Sequence, residues 1–196
     1  MSRIIVSIKG ISPLLMNRFT EADEISISKG SSKTAKPKKG TPREQAEPKA
    51  YKLEDGTLYI PGTNIFAAII QGGTFFKLGK SKVTTQKSSL IPAGVIMETV
   101  NCSFGTKDFE VDSRRVVIPS TGGAIMAHRP RLDEWETQFT LLTDDEMFDP
   151  DFIREIIDAA GSKVGVGDYR PQRKGPFGRF VVTKWTVEED KKQKAA

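Results

Sequence analysis

Between Lys163 and Phe180 the chain reads Lys-Val-Gly-Val-Gly-Asp-Tyr-Arg-Pro-Gln-Arg-Lys-Gly-Pro-Phe-Gly-Arg-Phe, a dense meeting of glycine, arginine and aromatic residues. Glycines 165, 167, 175 and 178 let a backbone approach an anion closely and leave amide N–H groups facing outward. Arg170, Arg173, Lys174 and Arg179 add charged donors, and the arginine fork matches phosphate oxygens. Tyr169 and Phe177 offer faces on which unpaired bases stack. The same loop would also serve as a plain glycine-rich connection with solvated charges. The coincidence of three residue types favours a nucleic-acid strand as the ligand. A nucleotide cofactor is not expected: Gly165-Val-Gly-Asp-Tyr-Arg lacks the third glycine of G-x-G-x-x-G, and no Walker A pattern is present.

Further cations lie elsewhere. The stretch Lys29–Lys52 holds eight bases against two acids, with Lys33, Lys36, Lys38 and Lys39 at its centre. Lysine suits diffuse attraction to phosphate. Arg114 and Arg115 sit in a strand-like run, where alternation sends them to opposite faces, so one of the two is expected at a ligand. His128 and Arg129 end another such run. His128 is the single histidine and the candidate for proton transfer. No residue is assigned a catalytic role, and with one cysteine and one histidine no metal site is expected.

The elements that carry these residues follow from pattern. Ile4, Val6 and Ile8 alternate with polar neighbours, the period of a half-buried strand. From about Thr20 to Lys52 the chain is rich in Ser, Lys, Gly and Pro and reads as a mobile basic insertion. Leu58–Gly62 leads into a helix that Thr63 or Asn64 would cap and that Gly72-Gly73 would break. Strand-like runs follow over Ala93–Val100, Phe109–Pro119, Ala124–His128 and Glu134–Thr143, the last with Trp135, Thr137, Phe139 and Leu141 on one face. Asp149-Pro150 starts a second helix with Ile153, Ile156 and Ile157 as its buried stripe and Gly161 at its end. Phe180–Val187 is the last strand, and 188–196 a charged tail. The order is βαββαβ: an α+β, ferredoxin-like or RRM-like antiparallel sheet with a long basic loop insertion, in one domain over 1–196.

The bulk properties fit this reading. A mean hydropathy of −0.36 describes a soluble protein, and no apolar run is long enough to span a membrane. The N-terminus reads as a strand and not a signal peptide, and a lone cysteine implies a cytoplasmic location. The net charge of +5 is unevenly spread. Asp133–Asp158 holds ten acids and one base, whereas Lys163–Lys194 holds nine bases and four acids. One acidic and one basic face suit a polyanion ligand or head-to-tail self-assembly.

Three segments together resemble Cas7-type CRISPR backbone proteins of the RAMP superfamily. They are Gly10-Ile-Ser-Pro-Leu-Leu-Met-Asn-Arg18, Tyr59-Ile-Pro-Gly-Thr-Asn-Ile-Phe-Ala-Ala68 and the glycine-rich loop before the last strand. The resemblance implies an RRM-like core that holds single-stranded RNA, or single-stranded DNA, by its backbone and forms homo-oligomers along the strand with other CRISPR subunits. Asn17, Arg18, Gly62, Thr63 and Asn64 would then lie near the strand, and Asp23 is the one candidate for the first-loop aspartate with which some members cut RNA. Two alternatives stay open: a metal-independent CRISPR RNA-processing endoribonuclease using His128 or Tyr169, and a structural assembly protein that needs no nucleic acid.

Overall fold

Alternation in the first residues becomes strand β1 (Ser2–Gly10) in the computed structural model, which describes residues 1–19, 40–117 and 122–189. Ile4, Val6 and Ile8 are fully buried while Arg3 and Lys9 face solvent. After β1 come β2 (Leu14–Leu15), α1 (Pro42–Ala46), a 3-10 turn at Glu47–Lys49 and β3 (Tyr59–Pro61). Helix α2 (Gly62–Gly72) leads through a small hairpin, β4 (Lys77–Leu78) and β5 (Ser81–Lys82), to α3 (Ile91–Gly94) and β6 (Val95–Met97). Then follow β7 (Asn101–Ser103), β8 (Glu110–Val117), β9 (Ala124–Leu132), β10 (Glu136–Thr143), α4 (Pro150–Ala159) and β11 (Phe180–Glu189).

The main sheet has the order β11-β1-β10-β6, antiparallel throughout, so the first and last strands are neighbours. With α2 and α4 as the two helices this is the expected βαββαβ arrangement. Register places Ile4 opposite Leu141 and Val6 opposite Phe139, one apolar face against which Ile65, Ile69, Ile153, Ile156 and Ile157 pack. Each fully buried side chain of this kind stabilises the fold by about 1.5–3 kcal/mol. A second sheet, β2-β9-β8, projects the long β8–β9 hairpin, and β3 pairs with β7.

Local details depart from the sequence reading. Neither Thr63 nor Asn64 caps α2: its N-cap is Pro61, with no side-chain cap. Gly62 there donates to Val100 O at 2.7 Å, and a Cβ on it would overlap Thr99 O. Asp149 does cap α4, accepting from Asp151 N at 2.8 Å. That helix does not end at Gly161. It widens into a π turn, Ala160–Val164, and stops where Gly165 turns to φ +73°. Gly161 is instead a close-contact residue, its missing Cβ leaving room for Phe180. The run from Ala93 to Val100 is not one strand, because Pro92 lies in α3 and the backbone then serves β6.

The insertion is the largest correction. Residues 20–39, including Asp23, Lys33, Lys36, Lys38 and Lys39, lie outside the described residues, but 42–49 is helical rather than structureless. Thr41 and Glu44 form a capping box and Pro42 occupies the first helical turn of α1. Ala46 and Ala50 are buried, and the Arg43 guanidinium lies 3.8 Å from the centroid of Phe109. Arg43 also meets Asp108 at 2.6 Å, holding that carboxyl below the usual carboxylate range.

Candidate nucleic-acid interface

The glycine-rich loop leaves the π turn and folds back on β2. Asp168 N donates to Leu15 O and Gly178 N to Pro13 O, both at 2.8 Å, and Val166 N donates to Gly178 O at 2.9 Å. A Cβ on Gly178, at φ +72°, would overlap Val166 O, and one on Gly175 would overlap Tyr169 O. These glycines therefore serve the loop's own close packing, and several of their amides are used internally instead of facing outward. Tyr169 and Lys174 hold left-handed φ values of 49° and 61°, a strain of about 1–3 kcal/mol each that the surrounding bonds maintain.

The folded loop divides the candidate cations into a tied set and an exposed set. Arg129, 14% exposed, pairs with Asp168 at 2.8 Å. Arg114 donates twice to buried Asp112, at 2.6 Å each, and lies 4.7 Å from the centroid of Phe177. Arg170 donates to Gly167 O at 2.9 Å and to Gln172 at 2.8 and 3.1 Å. Burial, with Arg173 nearby, draws its pKa below the ordinary arginine value, and Asp168 opposes the shift. Arg179 bonds Ser162 O. By contrast Arg18, Arg115, Arg173 and Lys174 are exposed, with no ion pair or side-chain hydrogen bond among the described residues. Of the two strand arginines, then, Arg114 is bound into the protein and Arg115 is available.

Phe177 is not a stacking platform. It is 7% exposed, enclosed by Arg114 and by Tyr169 at 6.1 Å between ring centroids. Tyr169, 39% exposed, keeps an open face. The uncovered face of the main sheet offers no aromatic surface either: by register it carries Arg3, Ser7, Lys9, Gln138 and Thr140, with Arg3 paired to Glu98 at 3.0 Å. A ligand is left with the rim.

At that rim the three sequence segments meet. Asn17 after β2, Asn64 in the first turn of α2 and Arg170 of the loop line one cleft of about 200 Å³. Arg18 follows Asn17, and its amide donates to Lys49 O at 2.9 Å. Thr63, beside Asn64, is exposed. Arg114, Arg115 and Arg129 belong to the hairpin and not to the cleft lining. His128 is there too, with Nδ1 2.7 Å from Ser113 Oγ and its carbonyl bonded by Lys49. No metal-binding group of three or more side chains occurs among the described residues, and none of their helices is long and apolar enough to cross a membrane.

Two cleft residues escaped the sequence reading. Tyr51 and Tyr59 are half-buried, with ring centroids 5.7 Å apart. The signal was present: Asp55-Gly56 is a hairpin turn, and with Lys52 bridged to Leu58 it sets Tyr51 across from Tyr59.

No protein-family model matches the sequence, and no curated protein resembles it. The structure is nonetheless similar to solved ones. One is a chain of the type III-B Cmr-beta structure determined by cryo-EM bound to cognate target RNA, at TM-score 0.50 and 13% identity; the match covers 95% of this chain but 60% of that one. Another is Cmr6 from Pyrococcus furiosus, at TM-score 0.44 and 14% identity, covering 93% of this chain and 99% of that one. The chain thus shares its α+β, RRM-like fold with a chain of that Cmr-beta structure.

Proposed function

We propose that this chain is a CRISPR-associated subunit that holds single-stranded RNA mainly by its sugar-phosphate backbone. The observation that carries the reading is the convergence of Asn17, Asn64 and Arg170 on one cleft, beside exposed Arg18 and Thr63. Arg173 and Lys174 extend the positive rim along the loop, and Arg115 lies on the hairpin. The start of α2, which has no side-chain cap, adds the positive end of a helix dipole. The Cmr-beta structure that contains a chain of similar fold was determined bound to cognate target RNA, which supports RNA over DNA as the strand. Contacts of this type position a strand and read little sequence.

Self-assembly along the strand is part of the proposal. It is supported by an acidic cleft of about 460 Å³, lined by Asp108, Glu110, Asp133, Glu134 and Glu136, that is separate from the basic rim. Strand cleavage is left out, because His128 lies on the hairpin beside Ser113 and does not line the cleft.

Fluorescence anisotropy with labelled single-stranded RNAs of increasing length, at several salt concentrations, tests the reading. Affinity should fall steeply with salt, by about 0.7 in log–log slope per phosphate contact, and complexes should grow stepwise with strand length. No binding at low salt, or binding indifferent to salt, would refute it.

A further inference from the structure

The cleft is built for more than phosphate. At about 200 Å³ it is smaller than the ~300–1,000 Å³ typical of drug-sized sites, a scale that suits one planar base. Leu14 and Ile60 are buried beneath it, and the half-buried rings of Tyr51 and Tyr59 form a wall. Aromatic walls over an apolar floor are what an unstacked base needs.

The charged groups of the cleft are already committed. Asp168 forms an ion pair with Arg129 and accepts, at 2.9 Å, from Tyr169 N, and Arg170 is bound to Gly167 O and Gln172. The carboxamides of Asn17 and Asn64 and the hydroxyls of both tyrosines have no hydrogen-bond partner among the described residues. What the cleft offers a newcomer is neutral, paired donors and acceptors beside a carboxylate.

We infer that this cleft seats one unpaired base of the bound strand, adenine in preference to the other three. The inference rests on the RNA-binding reading above and adds to it a single position at which sequence is read. An asparagine amide meets the N6 donor and N7 acceptor of adenine with two hydrogen bonds, whereas guanine presents O6 and N7, two acceptors best met by a free arginine or lysine fork. Arg170 is not free for that task. The Asp168 carboxylate accepts from an exocyclic amino group, which uracil lacks, and the two tyrosine rings favour a purine over a pyrimidine by stacking area.

The test uses labelled oligouridine strands in which one residue is replaced in turn by adenosine, guanosine or cytidine, with the full-length protein at one salt concentration. A single adenosine should tighten binding about fivefold or more over uridine, as one well-placed bidentate pair does. Asn64→Ala should lower the adenosine-to-uridine ratio several-fold, whatever it does to overall affinity. Asn64→Leu keeps the size without either hydrogen-bonding group, so it covers the case in which the alanine variant does not fold, and it too should lower the ratio. Free AMP should bind too weakly to displace the strand at micromolar concentration; displacement there would assign the cleft to a free nucleotide and overturn the inference. Strands that bind tightly and equally whichever base they carry would overturn it while leaving the RNA-binding reading intact. No binding of any strand at low salt would overturn both.

Discussion

Two clefts among the described residues have opposite character, and the larger of them is the less suited to the proposed ligand. The cleft of about 460 Å³ is lined by five carboxylates, with Lys9 and Arg131 as its cations, and Arg131 is already paired with Asp133 at 2.7 Å. The cleft of about 200 Å³ is lined by amides, tyrosines, Arg170 and one carboxylate, Asp168, which is paired with Arg129, and exposed Arg18 adjoins it. Near a polyanion, unpaired carboxylates repel, so the charge left over after internal pairing decides which concavity takes a strand. Size does not.

The strongest way to break this contrast is to remove the smaller cleft's frame. Gly178→Ala places a side chain at φ +72° against Val166 O, and should cost about 3 kcal/mol of stability with loss of RNA binding. Urea unfolding beside anisotropy would read both, and wild-type stability would contradict the packing described. Next in size is charge reversal on the rim. The double variant Arg173→Glu, Lys174→Glu should weaken RNA binding about tenfold or more at low salt and flatten the salt slope. Neutralising the other cleft with Glu110→Gln and Glu134→Gln should leave affinity for a strand short enough for one copy equal or slightly higher. Equal losses from both pairs would erase the distinction between the clefts.

The smallest effect concerns pH and borders the acidic cleft. Asp108 is held below the usual carboxylate range by the Arg43 guanidinium and then by Phe109 N–H. A depressed carboxyl pKa contributes stability that is present above the ordinary value of ~4 and lost as pH falls through the folded value. The amide resonances of Ala46 and Ala50 should therefore shift toward unfolded positions below about pH 4 while those of β1 hold. Unchanged positions down to pH 2 would show that Asp108 does not clamp α1.

What could be read in advance divides along the same physical line. Ile4, Val6 and Ile8, the face of Trp135–Leu141 and the Asp149-Pro150 start are local signals, because periodicity and capping act over a few residues. The fold was legible from them. The helical turns over 42–49 were not, since they depend on two alanines buried beneath a hairpin distant in sequence and on Arg43 over Phe109. The segments forming the small cleft were legible, but not the roles inside them. Phe177 and Tyr169 are both loop aromatics, and only tertiary packing separates the ring enclosed by Arg114 from the ring left open. Tyr51 was hidden because the insertion was read as mobile through Lys52.

Because Ser2 pairs with Glu189 across β1 and β11, the polypeptide enters and leaves the described body at a single corner. Anything tethered to either end, whether a tag, a fused domain or a dye, starts from one anchorage. Two labels placed there would report on each other before they reported on a bound strand. An internal joint linking Glu189 back to Ser2, with a new opening at the Asp55-Gly56 turn, would preserve every rung of the central ladder.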